Sequence, residues 1–161
     1  MSTIVKIIFL TAALSIAALA DAGETSGQLR VSVNIVASCR FSVDTATLSF
    51  GDVDQSAGSA EAHTDLGVRC SSQQPYAIGF DYGQHAQGGQ RRMSNGNGGV
   101  AYQLYADASH RQPLGPHGSD GEVRGLGNGD EQTIPVYGKL DLDRNTPTGM
   151  YSDVVRMTVT W

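Results

Sequence analysis

Residues 29–35 read LRVSVNI, and this stretch decides the class of fold that the sequence predicts. Apolar and polar side chains alternate strictly along it, which is typical of a β-strand with one buried face. The apolar positions are Leu29, Val31, Val33 and Ile35. The alternation does not identify the partner of this strand. The segment is either the first strand of its own domain or a strand that is donated to another chain.

Several later stretches repeat the alternation. The last one, VVRMTVTW at residues 154–161, is predicted to be the longest strand, with Val155, Met157, Val159 and Trp161 on its apolar face. Shorter examples lie at residues 48–50, 66–70, 76–82, 100–106 and 134–140. Beyond the N-terminus no window has a helical period, so about seven or eight short strands are expected. The sequence therefore predicts an all-β fold of the β-sandwich type.

Proline and glycine modify this pattern at three places. Pro135 lies inside an alternating stretch, and because proline lacks the main-chain N–H of a strand ladder, we expect an edge strand or a bulge there. Residues 83–99 and 107–130 are polar and rich in glycine. They are predicted to be long loops, or to contain short strands that the composition hides.

The N-terminus has the features of an export signal. Lys6 precedes an uncharged apolar run that ends in small residues near position 20. This is typical of a secretory signal peptide, and the run is short for a membrane-spanning helix, which needs about 20 apolar residues. We predict a signal peptide at residues 1–20 and an exported chain that does not insert into a membrane after cleavage. The remainder is long enough for one domain with its own core.

The two cysteines, Cys39 and Cys70, form an even pair in a chain predicted to be exported. In an oxidising compartment such a pair most simply forms one disulfide. The alternatives are a metal pair or a redox pair, but the sequence has neither a CxxC spacing nor a nearby set of histidine ligands. A structural disulfide between Cys39 and Cys70 is therefore predicted.

Composition and motifs argue against nucleic-acid binding and against catalysis. The formal net charge is −5 and no basic run is present, so nucleic acid is not an expected partner. No HExxH or GxSxG motif occurs. Residues 141–145 resemble the start of a calcium loop, but Thr146 and Ser152 replace the glycine and glutamate that such a loop requires. We predict no catalytic residue, no metal site and no cofactor.

Polar residues outside the strands are interpreted as surface residues. Arg91 and Arg92 are taken as solvated loop charges, and pairing with acidic groups of an adjacent subunit stays open as the alternative. The four histidines are likewise taken as exposed loop residues, since loops run over the surface of a domain. They are His63, His85, His110 and His117.

Seven short pieces carry a resemblance to a known family. In order they are SGQLRVSVNI (26–35), LSFG (48–51), LGVRC (66–70), RRM (91–93), VAYQLYAD (100–107), IPVYGKL (134–140) and GMYSD (149–153). Each piece is short, and it is their order and spacing together that make the pattern specific. The chain resembles the Spore Coat Protein U domain family, which includes the subunits of archaic (Csu-type) chaperone–usher pili.

The resemblance implies an immunoglobulin-like β-sandwich at residues 37–161 that lacks its final strand, preceded by a donor segment at residues 21–36. In such pili a periplasmic chaperone fills the groove left by the missing strand. An outer-membrane usher then exchanges the chaperone for the N-terminal strand of the next subunit. Carried over to this chain, the donor side chains are Leu29, Val31, Val33 and Ile35. The strand that pairs with chaperone or donor bears Val155, Met157, Val159 and Trp161.

The function implied by this resemblance is that of a structural pilus subunit at the cell surface, with a role in adhesion and biofilm formation. Its implied partners are neighbouring subunits, a periplasmic chaperone and an outer-membrane usher. Two other interpretations remain open. One is a self-contained secreted or coat-associated binding module, with carbohydrate as a candidate ligand, and the other is a hydrolase with an unrecognised site.

Overall fold

The computed structural model describes residues 23–161, so the signal peptide predicted at residues 1–20 lies outside the described residues. The described chain contains eight β-strands and a short 3-10 turn at Gln55–Ala57. The strands are β1 (Cys39–Phe41), β2 (Ser59–Cys70), β3 (Pro75–Phe80), β4 (Arg92–Ser94), β5 (Gly99–Tyr105), β6 (Val123–Leu126), β7 (Glu131–Asp141) and β8 (Met157–Thr160). No helix in this part of the chain is long and apolar enough to cross a membrane.

The strands form two antiparallel sheets. The larger sheet has five strands in the order β1-β2-β7-β5-β4, and the smaller has three in the order β6-β3-β8. The longest ladder joins β2 to β7, from Ser59 opposite Asp141 to Arg69 opposite Glu131. β8 is an edge strand, since it pairs with β3 alone. The predicted all-β fold is confirmed.

A single apolar core is built from alternate residues of these strands. Each buried aliphatic or aromatic side chain stabilises the folded state by roughly 1.5–3 kcal/mol. The buried apolar side chains include Leu66, Val68, Tyr76, Ile78, Phe80, Val100, Tyr102, Leu104, Ile134, Val136 and Leu140. They occupy the alternating positions predicted for residues 66–70, 76–82, 100–106 and 134–140.

The predicted disulfide joins Cys39 and Cys70. The two cysteines lie opposite each other in the β1–β2 ladder, and both are buried. The bond closes a chain separation of 31 residues. In the chain-entropy model a loop of this length stabilises the fold by roughly 3–4 kcal/mol. The outermost strand of the larger sheet is thereby tied covalently to the core.

Two predictions about strands are corrected by the structure, and for the two glycine-rich stretches it decides between the alternatives left open. The final strand, predicted to be the longest, is β8, and it is shorter than β2 and β7. Residues 154–156 lie outside it because they pair irregularly with the chain that follows β3. Pro135 lies in the internal strand β7, not in an edge strand, and it is accommodated there because pairing with β5 reaches only as far as Tyr137. Residues 83–99 and 107–130 contain the short strands β4 and β6, which their composition hid.

The chain divides into two compact units between residues 34 and 35. In the first unit, residues 23–34 adopt no regular secondary structure. Leu29, Val31 and Val33 are 89%, 84% and 82% exposed. The second unit, residues 35–161, contains the eight strands described above.

Candidate functional site: an open apolar groove

The first wall of an open groove consists of residues 43–53. Ala46, Leu48 and Phe50 are half-buried against the core and alternate with exposed residues, which is the period of a β-strand. Gly138 makes room for them, since a Cβ at that position would lie 2.9 Å from Leu48 Cδ2 and 3.0 Å from Phe50 Cζ. Within the described chain, residues 43–53 make no backbone–backbone hydrogen bond. Residues 48–50 therefore show the side-chain alternation of the predicted strand, but their main chain pairs with no other strand of the described chain.

The second wall consists of residues 151–157 and has the same alternation. Its half-buried side chains are those of Tyr151, Asp153, Val155 and Met157. Asp153 and Val155 make no backbone–backbone hydrogen bond to any described residue. This edge of the wall is therefore also free to pair with another strand.

The opposite edge of the second wall is held by the chain that follows β3. Val154 O accepts a hydrogen bond from Gln84 N at 3.2 Å, and Arg156 O accepts one from Asp81 N at 3.0 Å. Arg156 N donates to Asp81 Oδ1 at 2.9 Å, so a side chain takes the place of a strand carbonyl. The second wall is thus fixed on one side and open on the other.

Both walls line one open cleft of about 1180 Å³. Its floor is formed by core residues from both sheets, namely Leu66, Phe80, Val100, Leu104, Val136 and Leu140. Unpaired main chain along an apolar surface favours pairing with an extended segment, because such a segment supplies both hydrogen bonds and apolar side chains. The groove could therefore accept an added strand.

Gln55 lines the groove just after the first wall and contacts the chain that precedes the second wall. Its Nε2 donates to Arg144 O at 2.9 Å and to Thr146 O at 2.7 Å. Nearby, Leu142 N donates to Gly58 O at 2.8 Å. These hydrogen bonds join the chain between the first wall and β2 to the chain between β7 and the second wall.

Arg91 is the most buried polar residue of the described chain, with 1% of its surface exposed. Its guanidinium group donates to the carbonyl oxygens of Phe80, the last residue of β3, of Asp81 and of Leu114, at 2.8–3.0 Å. It also donates to the side chain of Gln103 in β5. Burial lowers the pKa of Arg91, and nearby tyrosines and aspartates oppose that shift. Arg91 therefore links the two sheets through directed hydrogen bonds.

A second polar link joins the sheets beside the groove. Tyr102 of β5 donates its hydroxyl to Asp153 Oδ2 of the second wall at 2.7 Å. Burial, together with the carboxylate of Asp153, raises the pKa of Tyr102 above its ordinary value. Asp153 Oδ1 accepts from Gln84 N at 2.9 Å and from His85 N at 3.2 Å, and only 2% of the Asp153 side chain is exposed. Asp153 thus fixes the position of the second wall.

Gly83 is required for this arrangement of the second wall. Its φ of +84° lies in the left-handed region, and an added Cβ would come within 1.9 Å of Asp153 Oδ2. The absence of a side chain lets the loop after β3 approach the carboxylate closely.

The predicted site residues lie in different surroundings. Val155 and Met157 line the groove, Val159 packs against the core from β8, and Trp161 is 57% exposed. The proposed donor side chains belong to a segment without regular secondary structure, where Ile35 is 87% exposed. Their roles as donor and acceptor remain predictions.

Sequence reasoning missed the polar residues that support the groove. Arg91 was interpreted as a solvated loop charge, but it is buried. Its burial could not be predicted because its hydrogen-bond partners are mostly main-chain carbonyls, which a sequence pattern does not reveal. His63 is not a loop residue but lies in β2, and the side chain of His110 is only 14% exposed.

Within residues 23–161 no group of three or more His, Cys, Asp or Glu residues could hold a metal ion.

Two antiparallel sheets that share one core, with an open groove along one edge, define an immunoglobulin-like β-sandwich domain. The chain belongs to the Spore Coat Protein U domain family, whose model matches residues 25–158. The family resemblance inferred from the sequence is thereby confirmed. No curated protein matches the sequence.

Solved structures of pilus subunits share this fold. One is the CsuC–CsuE chaperone–tip adhesion subunit pre-assembly complex from archaic chaperone–usher Csu pili of Acinetobacter baumannii, with a TM-score of 0.58 and 20% identity. That match covers 79% of this chain and 40% of the matched chain, so this chain spans less than half of its length. Another is the P pilus rod subunit PapA, with a TM-score of 0.56, 15% identity and coverage of 76% and 97%. At these identities the likeness establishes the fold.

Proposed function

We propose that this chain is a structural subunit of a surface pilus and that it polymerises by strand donation. In this proposal the segment that carries Leu29, Val31, Val33 and Ile35 enters the groove of a neighbouring copy. The observation that carries the proposal is the groove itself, whose two walls both have strand alternation and unpaired main chain. An inserted strand would complete the sandwich.

Elementary energetics support such a joint. An extended segment placed between the walls would pair with residues 43–53 on one side and with residues 153–157 on the other. Its apolar face would be buried, which stabilises the complex by roughly 1.5–3 kcal/mol for each of the four side chains. The cost of ordering the strand offsets part of this gain. A head-to-tail contact that does not close on itself produces a filament.

The proposed partners and location follow from the same groove. An exposed apolar groove on an exported chain requires temporary cover before assembly, which is the task of a periplasmic chaperone. A solved structure with the same fold is a chaperone–subunit complex, and another is a pilus rod subunit. We therefore include a periplasmic chaperone, an outer-membrane usher and neighbouring pilus subunits as partners, and adhesion and biofilm formation as the role of the fibre.

The test is a denaturing gel of unheated surface fractions from cells that carry wild-type or variant chains. Val33→Asp places a charge on the apolar face of the donor segment, and Ser32→Asp places the same charge on the opposite face as a matched control. We expect a ladder of oligomers in wild type and in Ser32→Asp, with loss of the ladder in Val33→Asp. Heating should collapse the ladder to a single band.

Two outcomes would contradict the proposal. If Val33→Asp still assembles as well as Ser32→Asp, residues 29–35 do not enter a groove. If wild type gives a single band and a chain lacking residues 23–35 remains soluble, the domain is closed without a donor. The self-contained binding module would then be the better interpretation.

A further inference from the structure

A second, smaller pocket lies on the larger sheet, away from the groove. Its volume is about 240 Å³, and its lining comes from β2, β7 and the loop between β5 and β6. The lining residues are Glu61, Ala62, His63, Ala108, His110 and Tyr137. Sites for drug-sized ligands have about 300–1,000 Å³, so this pocket suits a single small ring.

An aromatic row crosses the larger sheet at this pocket, and two of its three members, His63 and Tyr137, line the pocket. His63, Tyr137 and Tyr105 lie opposite one another on the adjacent strands β2, β7 and β5. The rings of His63 and Tyr137 are nearly parallel, with centroids 6.1 Å apart and an angle of 26° between their planes. None of the three residues is fully buried. His63 and Tyr137 thus supply aromatic surface at the pocket that the apolar face of a ligand can contact.

The loop at residues 106–112 is built to hold His110 against this row. His110 has a φ of +55°, in the left-handed region, which is uncommon for a residue other than glycine. Asp107 Oδ1 fixes the turn by accepting from Arg111 N at 2.9 Å and from Gln112 N at 2.7 Å. The imidazole of His110 then meets the ring of Tyr105 edge to face, with centroids 5.0 Å apart. A side chain held at the expense of an unfavourable backbone conformation is often a functional one.

The polar groups at the rim are of mixed sign. Glu61 Oε1 lies 3.6 Å from His110 Nδ1 and 3.9 Å from Lys139 Nζ, and Glu61 is largely exposed. Lys139 lies outside the pocket lining, and its ammonium group and the carboxylate of Glu61 partly offset each other's charge. They also supply an acceptor and several donors within one small area. A hydroxyl group both donates and accepts, so a ligand with several hydroxyls matches this rim.

We propose that this pocket binds one pyranose ring of a glycan. The apolar C–H face of the sugar would lie on the rings of Tyr137 and His63, with His110 as the opposite wall. The hydroxyls would bond to Glu61, Lys139 and His110. Nothing in this site overlaps with the groove, since the two pockets share no lining residue.

The proposal has an added consequence that rests on the pilus function proposed above. A single-ring site of this size gives weak affinity, but repetition of the site along a fibre multiplies the binding strength for a glycan-coated surface. The pocket itself requires no polymer, so its test is independent of strand donation.

The test is saturation-transfer NMR on the secreted chain with methyl pyranosides of glucose, galactose, mannose and N-acetylglucosamine. Sorbitol is the control for hydroxyls without a ring face, and choline is the control for a cation. We expect transfer from aromatic protons to the ring protons of at least one pyranoside, and none to sorbitol or choline. The proposal is overturned if no pyranoside receives transfer at about 10 mM, which is already a weak affinity, or if choline receives more than the sugars.

Variants locate the binding. Tyr137→Ala removes the stacking surface and should weaken binding by about tenfold or more, while Tyr137→Phe should retain it. His110→Gly removes the imidazole without adding strain at a left-handed position and should also weaken binding. Thr133→Ala, on the same strand but outside the pocket, is the matched control and should bind as wild type. If Tyr137→Ala and His110→Gly both bind as wild type, the sugar site is elsewhere and the assignment is wrong.

Discussion

The β2–β7 ladder and the walls of the groove have the same kind of sequence pattern but differ in the pairing of their main chain. Both alternate apolar and polar residues with a period of two. In β2 and β7 the main chain is paired along eleven residue positions, whereas residues 43–53 have no backbone–backbone hydrogen bond within the described chain. The difference shows that alternation specifies which face is buried, and that a sheet forms only where a second main chain is available.

The two regions also differ in how they are held together. The ladder side is fixed by main-chain pairing and by the disulfide of β1 to β2. The sheets are also linked by buried polar side chains, namely Arg91 and the pair of Tyr102 and Asp153, and the pair lines the groove. Hydrogen bonds with fixed directions can hold two surfaces in position where apolar contact alone would let them close.

Amide hydrogen exchange should give the largest difference between the two regions. In the Val33→Asp chain, which we expect to remain unassembled, amides of β2 and β7 should exchange at least about a thousandfold more slowly than those of residues 45–50, because core strands open only with global unfolding. Addition of a peptide spanning residues 27–36 of wild type should protect residues 45–50. The comparison fails if residues 45–50 are already as protected as β7 without peptide.

Replacement of Arg91 should have the next largest effect. Arg91→Met leaves the carbonyl oxygens of Phe80 and Leu114 without their donor, so the free energy of unfolding should fall by roughly 2–4 kcal/mol. Arg92→Met, at the adjacent position, removes one hydrogen bond to Gly99 O and should cost less than about 1 kcal/mol. Urea unfolding followed by circular dichroism measures both. If the free energy of unfolding falls equally in the two variants, the buried guanidinium of Arg91 stabilises the fold no more than that of Arg92.

A smaller effect than that of Arg91→Met is expected for Tyr102→Phe, which removes one hydrogen bond to the buried carboxylate of Asp153 and should lower stability by roughly 1.5–2 kcal/mol. Its pH dependence is the sharper measurement. Because the pKa of Tyr102 is raised in the folded chain, unfolding releases a proton above pH of about 10, and stability falls as the pH rises through that range.

The alkaline loss of stability should therefore be smaller in Tyr102→Phe than in wild type. Tyr151→Phe is the control for loss of a tyrosine hydroxyl, since that group donates to Pro147 O at an exposed site. If wild type and Tyr102→Phe lose stability in parallel between neutral and alkaline pH, burial and the carboxylate of Asp153 do not raise the pKa of Tyr102 in the folded chain.

Much of the fold could be predicted from local pattern. The alternation at residues 66–70, 76–80 and 134–140 identified buried faces correctly, and the two cysteines identified the disulfide, since each depends on residue type and spacing alone. β4 and β6 could not be recognised in this way, because they are only three and four residues long and lie in glycine-rich sequence. Strands of this length form through their neighbours rather than through their own preference.

The groove could be anticipated only in part. The apolar positions Val155 and Met157 in its second wall were predicted, whereas the roles of Asp153, Gly83 and Gln55 were not. Those three residues act through main-chain groups that are remote in sequence, and a single sequence gives no record of such contacts. Leu48 and Phe50 were assigned to a strand because alternation cannot report that the partner main chain is missing.

The placement of the two walls also has a consequence for the order of events during export. One wall precedes β2 and the other follows β7, so the groove comes into existence only after the long ladder between those strands has closed. A chain whose ladder is incomplete therefore has no groove. Under the strand donation proposed above, folding would thus precede assembly, and unfolded subunits would be excluded from the fibre because they offer no groove to a donor strand.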